Sequence, residues 1–260
     1  MADAISAPST GKTAIIFGAT GAVGTPLLET LLQSPTFDKI HSFQRRATDG
    51  PPNSKLITHT VDFDKLVAKD EEEVKRVKEI AADAVFITLG TTRGAAGSAQ
   101  AFEKIDKDYV LAAARAAASP EKASSNKVVY CSSQMANSGS RFLYTRSKGE
   151  TEEGLASAGY SETILFRPGF LAQAQRPKTR PLEVVYGALT GKVLSRFSDG
   201  AEIPVPILAR AMRFAGEAGA SNLIAKGVGS PPVEAFKRPA GSAVTVLTNG
   251  EALRLGKSLL

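Results

Sequence analysis

Short apolar runs along this chain alternate with stretches in which apolar residues recur every three or four positions. Residues 13–17 (TAIIF) form a β-branched, wholly apolar run of the kind expected of a strand buried on both faces. A glycine-rich turn follows, and then Val23, Leu27, Leu28, Leu31 and Leu32 recur at helical spacing, with Pro26 in the first turn where its missing N–H costs little. The alternation continues with strands over 39–43 and 56–61, a helix over 64–82, a strand over 84–89, a helix over 99–118, a strand over 127–132, a helix over 144–158 and a strand over 163–167. Strands alternating with helices predict an α/β protein with a doubly wound parallel sheet. The rhythm fades after Arg167. The sequence therefore divides into a flexible leader over 1–12, a nucleotide-binding domain over 13–170 and a small irregular C-terminal substrate lobe over 171–260. Within that lobe helical patterns fall near 181–194 and 207–218. A Gly/Pro/Ser-rich loop over 226–243 reads as a mobile surface insertion, and residues 243–247 suit a final strand.

Composition narrows the class of protein. With 43% hydrophobic and 22% charged residues in 260, the chain is neither disordered nor fibrous, and it is long enough to bury a core without staples. Cys131 is its one cysteine, which excludes an intrachain disulfide and a cysteine-built metal site and suits a reducing compartment. No apolar run approaches the roughly 20 residues of a spanning helix. The leader has no arginine, unlike a typical transit peptide, and no apolar core, unlike a secretory signal. The net charge of +6 is uneven. From Arg167 onward there are 13 Lys and Arg against 6 Asp and Glu, whereas residues 1–166 carry 19 against 20. This basic last third attracts phosphorylated cofactors, anionic substrates or an anionic membrane surface, or is a solvated face. No zinc-finger spacing or RNA-binding aromatic signature points to nucleic acid.

The turn reads Gly18-Ala19-Thr20-Gly21-Ala22-Val23-Gly24, a G-x-x-G-x-x-G spacing between a buried strand and an amphipathic helix. Glycine allows the backbone to approach a diphosphate, and the helix N-terminus offers free N–H groups and a positive dipole end. Gly18, Thr20, Gly21, Ala22, Val23 and Gly24 are thus the candidate phosphate cradle. About 20 residues further on, an acidic side chain would bind the ribose 2′-hydroxyl of NAD. Gln44, Arg45 and Arg46 stand there instead, and two guanidinium groups suit a 2′-phosphate, so the expected cofactor is NADP(H). Asp62 and Phe63 fall where an adenine would be contacted, and Leu89, Gly90 and Thr91 where the cofactor's central portion would lie; each also fits ordinary turn chemistry.

Tyr144 and Lys148 form Y-x-x-x-K on one face of a predicted helix, about a dozen residues after the Cys131-Ser132-Ser133 strand end. A phenol with a pKa near 10 is a poor acid at neutral pH, but a neighbouring ammonium favours its ionised form and pulls that value down. Tyr144 then protonates a carbonyl oxygen while hydride arrives from the nicotinamide, and Ser133 or Ser132 hydrogen-bonds the same oxygen. Lys148 tunes the phenol and binds the nicotinamide ribose.

With GATGAVG, LGTTRG over 89–94, IDKDYVLAAA over 105–114, FLYTRSKGE over 142–150 and FRPG over 166–169, the chain resembles the short-chain dehydrogenase/reductase superfamily. Within it, the likeness is to the atypical Tat-interactive protein group and its fungal relatives, the "found in mitochondrial proteome" family. The resemblance spans residue 13 to about residue 215. It implies a Rossmann-type NADP(H)-binding domain with Ser133, Tyr144 and Lys148 at the reductase positions, Ser132 beside the cofactor, and Pro168 and Gly169 next to the nicotinamide. For the fungal relatives it implies peripheral attachment to the cytosolic face of the mitochondrial outer membrane; a cytoplasmic location is the alternative. A cleaved presequence of typical length would remove 13–24 and the cradle with it, so a mitochondrial form is expected to keep its N-terminus. The superfamily's usual helix asparagine has no counterpart here, and Asp106 lies near its place.

Other candidates carry less. Cys131 reads as a small core residue, and His41 and His59 lack ligand spacing, so no metal is expected. The run 70–73 reads as a solvated helix face, and Arg93 as a phosphate or substrate contact. Two functions follow: a reductase of a small-molecule carbonyl or enone, or a non-catalytic NADP(H)-sensing adaptor with a regulatory protein partner.

Overall fold

The computed structural model describes residues 11–46, 53–173, 202–232 and 236–260. Seven strands make one parallel sheet in the order β3-β2-β1-β4-β5-β6-β9. They are β1 (Lys12–Phe17), β2 (Phe37–Gln44), β3 (Leu56–Thr60), β4 (Ala84–Ile87), β5 (Lys127–Cys131), β6 (Glu162–Arg167) and β9 (Ala243–Thr248); β7 (Phe170–Ala172) and β8 (Glu202–Pro204) form a separate parallel pair. Connections run outward in both directions from β1 and β4, so the sheet's switch point opens between those two strands, where doubly wound sheets bind their ligands.

Strand β1 is apolar throughout its second half because helices cover both faces of the sheet. Ala14 and Ile16 face a core shared with α1 (Gly24–Leu32), α8 (Val205–Ala218) and α10 (Asn249–Lys257). Ile15 and Phe17 face the other core, under α2 (Phe63–Val67), α3 (Glu71–Lys78), α6 (Tyr109–Ala117) and α7 (Leu143–Ala156). The predicted sheet and its parallel winding are therefore present.

Two expected helices are interrupted. The helix over 64–82 is α2 and α3, separated where Lys69 adopts a left-handed φ of 58°; Asp70 restarts the chain by accepting from the Glu73 amide. The helix over 99–118 is α5 (Ala99–Glu103), a π-helical turn (Lys104–Asp108) and α6. Such turns occur often at functional sites. Residues 70–73 are not wholly solvated either: Glu73 is buried, and its Oε1 accepts the Asp62 amide at 2.9 Å while its Oε2 lies 3.3 Å from Arg76.

The tail joins the main body. Strand β9 pairs with β6 from Glu162–Ala243 to Arg167–Thr248, while α8 lies against both α1 and α10. After α9 (Ala220–Ala225), Val228 is buried and Ser230 exchanges both backbone hydrogen bonds with Val246, so this part of the expected mobile insertion at 226–243 is anchored. The helical pattern at 181–194, residues 1–10 of the leader and residues 233–235 of the insertion lie outside the described residues.

On neighbouring strands β2 and β3, His41 Nδ1 lies 2.9 Å from His59 Nε2, and the His59 ring stacks on Phe43 at 4.6 Å. Burial first, then His59 and Lys39, pull the His41 pKa down to about 4; burial and Arg76 lower that of His59. The folded protein therefore stays neutral here while the unfolded chain takes up protons below about pH 6.5. Stability should fall as pH drops from about 6.5 through 4, by on the order of 1 kcal/mol once solvent screening of these partly exposed rings is allowed for. Thermal melts of wild type and a His41→Phe/His59→Phe variant across that range check this. The variant should show a shallower slope, and parallel slopes would contradict it.

Candidate functional site

The glycine turn folds as it does because no larger residues fit. Gly18 has φ +90°, and a Cβ there would lie 2.9 Å from the Thr88 carbonyl carbon. A Cβ on Gly24 would collide with the Gly18 carbonyl oxygen. Thr88 fixes the turn from β4's end by donating its hydroxyl to the Gly18 carbonyl at 3.1 Å. No side chain caps α1, no acidic residue occupies its first turn, and the amides of Ala22 and Val23 have no acceptor among the described residues. Open amides, a positive helix end and a close backbone are what a diphosphate requires, so the residues present fit a dinucleotide.

Arg45 and Arg46 follow the end of β2 and are exposed, next in line along the carboxyl edge. Arg45 lies within electrostatic reach of Tyr109, whose hydroxyl donates to Asp64 at 2.7 Å. Phe63 is turned into the core and stacks on Tyr109 at 5.2 Å, while Asp62 spends its carboxylate capping α2 through the Asp64 and Lys65 amides. Tyr109 is thus the partly exposed aromatic at this position. Its signal in the sequence was hidden inside an apparently uniform helix.

The reacting set gathers on the other side of the switch point. Tyr144 is the second residue of α7 and 42% exposed; its hydroxyl has no partner among the described residues, and its ring lies 6.1 Å from Phe102. One turn on, Lys148 is buried. Its Nζ lies 2.9 Å from Asp106 Oδ2 and donates to the Tyr130 hydroxyl at 2.9 Å. The loop bearing Ser133 is tied to both flanks, the Gln134 amide donating to the Pro168 carbonyl at 2.9 Å and the Asn137 amide to the Thr145 carbonyl at 3.0 Å. The Gly169 amide is taken by Asn249 Oδ1 at 2.8 Å, and the Ser132 hydroxyl is buried without a partner among the described residues. Leu89 lies against the core, Gly90 approaches Asp106, and the Thr91 amide donates to Asp106 Oδ1 at 2.8 Å. Arg93 opens the short α4 (Arg93–Ala96) on the surface.

Burial opposes the charge on Lys148, yet the oxygens of Tyr130, Asp106 and Tyr144 around it hold its pKa well above the ordinary value. Burial raises the Tyr130 phenol far above its usual range and pushes the Cys131 thiol up to about 11, so both stay neutral. The sequence flagged Asp106 only as a departure from a pattern, and it gave no sign of Tyr130, an apolar-looking member of a strand. A groove of about 690 Å³ between α2–α3 and α6, floored by Leu66, Val74, Ala112 and Ala116, contains none of these residues.

Known proteins agree with this geometry at the level of fold. Residues 13–104 match the NAD-binding domain of semialdehyde dehydrogenases. The chain is 38% identical over 192 residues to the mitochondrial protein fmp52 of Emericella nidulans, covering 71% of this chain and 78% of that one. It is 31% identical over 248 residues to its counterpart in Aspergillus clavatus, covering 93% and 97%. Among solved structures it is similar to a short chain dehydrogenase from Burkholderia cenocepacia in complex with NADP, at 20% identity and TM-score 0.56 over 84% of this chain and 92% of that one. It is likewise similar to Bordetella bronchiseptica WbmH in complex with NAD+, at 16% identity and TM-score 0.53 over 92% and 90%.

Proposed function

The chain belongs to the fungal FMP52 family of proteins named as mitochondrial, and on that premise we propose that it is an NADP(H)-dependent reductase of a small carbonyl or enone substrate. The observation that carries this reading is the Tyr144 hydroxyl, without a partner among the described residues and one helical turn from a buried, charged Lys148, on the same sheet edge as an open phosphate cradle. The nicotinamide supplies hydride when bound. Tyr144 gives its proton to the carbonyl oxygen, and Ser133 hydrogen-bonds that oxygen to orient it. Lys148 donates one proton to Tyr130 and is ion-paired with Asp106, and a further proton would serve the nicotinamide ribose. The amides over 18–24 hold the diphosphate, and Arg45 and Arg46 hold the 2′-phosphate, since β2 ends without a carboxylate. Oxidation of NADPH against a panel of aldehydes, ketones and enones tests the activity.

Cofactor choice is tested separately. Replacing both Arg45 and Arg46 by Ala should raise the Kd for NADPH by roughly 10- to 100-fold, about 1.4–2.8 kcal/mol, and that for NADH by less than about 3-fold. Equal losses for the two nucleotides would defeat the assignment.

No helix among the described residues is long and apolar enough to cross a membrane. The surplus of positive charge after Arg167 supports peripheral docking on the anionic cytosolic face of the mitochondrial outer membrane. A second reading, an NADP(H)-sensing adaptor for a regulatory protein partner, is favoured by the missing counterpart of the usual relay asparagine, near whose place Asp106 lies. Saturable NADPH binding without turnover against the whole panel would select it.

A further inference from the structure

We propose that Asp106 is a positioning residue that keeps the Lys148 ammonium charged beside Tyr144 and ties it to the cofactor loop through Thr91. The inference extends the reductase reading but stands on geometry of its own. The π-helical turn Lys104–Asp108 delivers Asp106 to a fully buried position between two elements that the cofactor must bridge. Its Oδ2 meets Lys148 Nζ at 2.9 Å on α7, while its Oδ1 accepts the Thr91 amide at 2.8 Å in the loop after β4. Gly90 makes room for this bridge, since a Cβ there would come 3.3 Å from Oδ1 and 3.7 Å from Nζ. The Thr151 hydroxyl, bonded to the Ser147 carbonyl at 2.7 Å, also lies 3.3 Å from the Asp106 carbonyl where the turn meets α7.

The groups facing Lys148 are Asp106 from the π-helical turn, Tyr130 and Cys131 from β5, and Tyr144 from its own helix. Tyr130 and Cys131 are neutral, which leaves Asp106 as the anion in contact with the ammonium among the described residues. A lysine this buried without an anion gives up its proton several units early. Replacing the carboxylate by an amide would therefore silence the ammonium one helical turn from Tyr144.

The test reads the ammonium directly. The Lys148 charge is followed by the pH dependence of its Cε resonance in protein carrying isotope-labelled lysine, assigned by its absence from K148M, in wild type, D106N, D106S and D106E. D106N should move the Lys148 midpoint down by more than about one unit. D106E, which restores the charge, should return the midpoint toward wild type, and D106S serves in place of D106N if the amide does not fold. An unmoved midpoint with lowered thermal stability would reduce Asp106 to a structural role and overturn the proposal. So would an upward shift, or a midpoint in D106E no higher than in D106N or D106S. No substrate or turnover is required, so absence of reductase activity would defeat the function proposed above while leaving this measurement decisive.

Discussion

Tyr144→Phe keeps the affinity for NADPH within about twofold and lowers kcat/KM for carbonyl reduction by about 10²- to 10⁴-fold, the span expected on losing a general acid. The structure makes this substitution unusually clean. The Tyr144 hydroxyl makes no hydrogen bond within the described residues, so its removal breaks no internal contact, and the ring keeps its place near Phe102. Lys148 remains anchored by Asp106 and Tyr130 and can still reach a ribose. Loss of activity with unchanged melting temperature and unchanged nucleotide binding therefore isolates proton delivery. Retention of more than about a tenth of the activity would move the acid to another group.

Gly24→Ala has the other large effect, and it acts earlier in the chain of causes. The added methyl would overlap the Gly18 carbonyl oxygen and come within 2.8 Å of Thr88 Oγ1, and neither atom can retreat: one is backbone, the other is bonded to it. The first turn of α1 must then back away from the loop, and the amides of Ala22 and Val23 lose their aim. NADPH affinity should fall at least about 100-fold, with about 1–3 kcal/mol of stability lost to overpacking. Gly94→Ala is the matching control, because a Cβ there meets nothing within 4 Å and α4 is already helical. It should bind NADPH as wild type does; a similar loss in both variants would mean that the cradle is not the site.

What could be read in the sequence was what is local. The cradle is legible because strand, turn and helix are contiguous, and the glycines are forced by contacts within or next to that turn. The six strands up to β6 are legible because a doubly covered sheet needs apolar runs. Breaks that preserve apolar spacing were invisible: the left-handed Lys69 and the π-helical turn at 104–108 leave the periodicity nearly intact. Pairings across the fold were equally hidden. Glu73 looked like part of an acidic surface because its role depends on the Asp62 amide, which is distant in sequence. Tyr130 looked like one more strand residue because only the fold brings Lys148 to its hydroxyl. Asp106 stood out in the sequence by chemistry, not by partner. The tail looked like a small lobe because its apolar content is scattered; its strand at 243–247 and the helix near 207–218 were legible, but that β9 pairs with β6 and α8 covers the sheet was not.

The central claim is that the carboxyl edge of the sheet between β1 and β4 holds a pyridine nucleotide. Calorimetric titration of the full chain with NADPH and, separately, NADH at ordinary ionic strength tests it most directly. The account predicts saturable heat with one NADPH per chain and tighter binding than for NADH. Flat titrations with both nucleotides would contradict it.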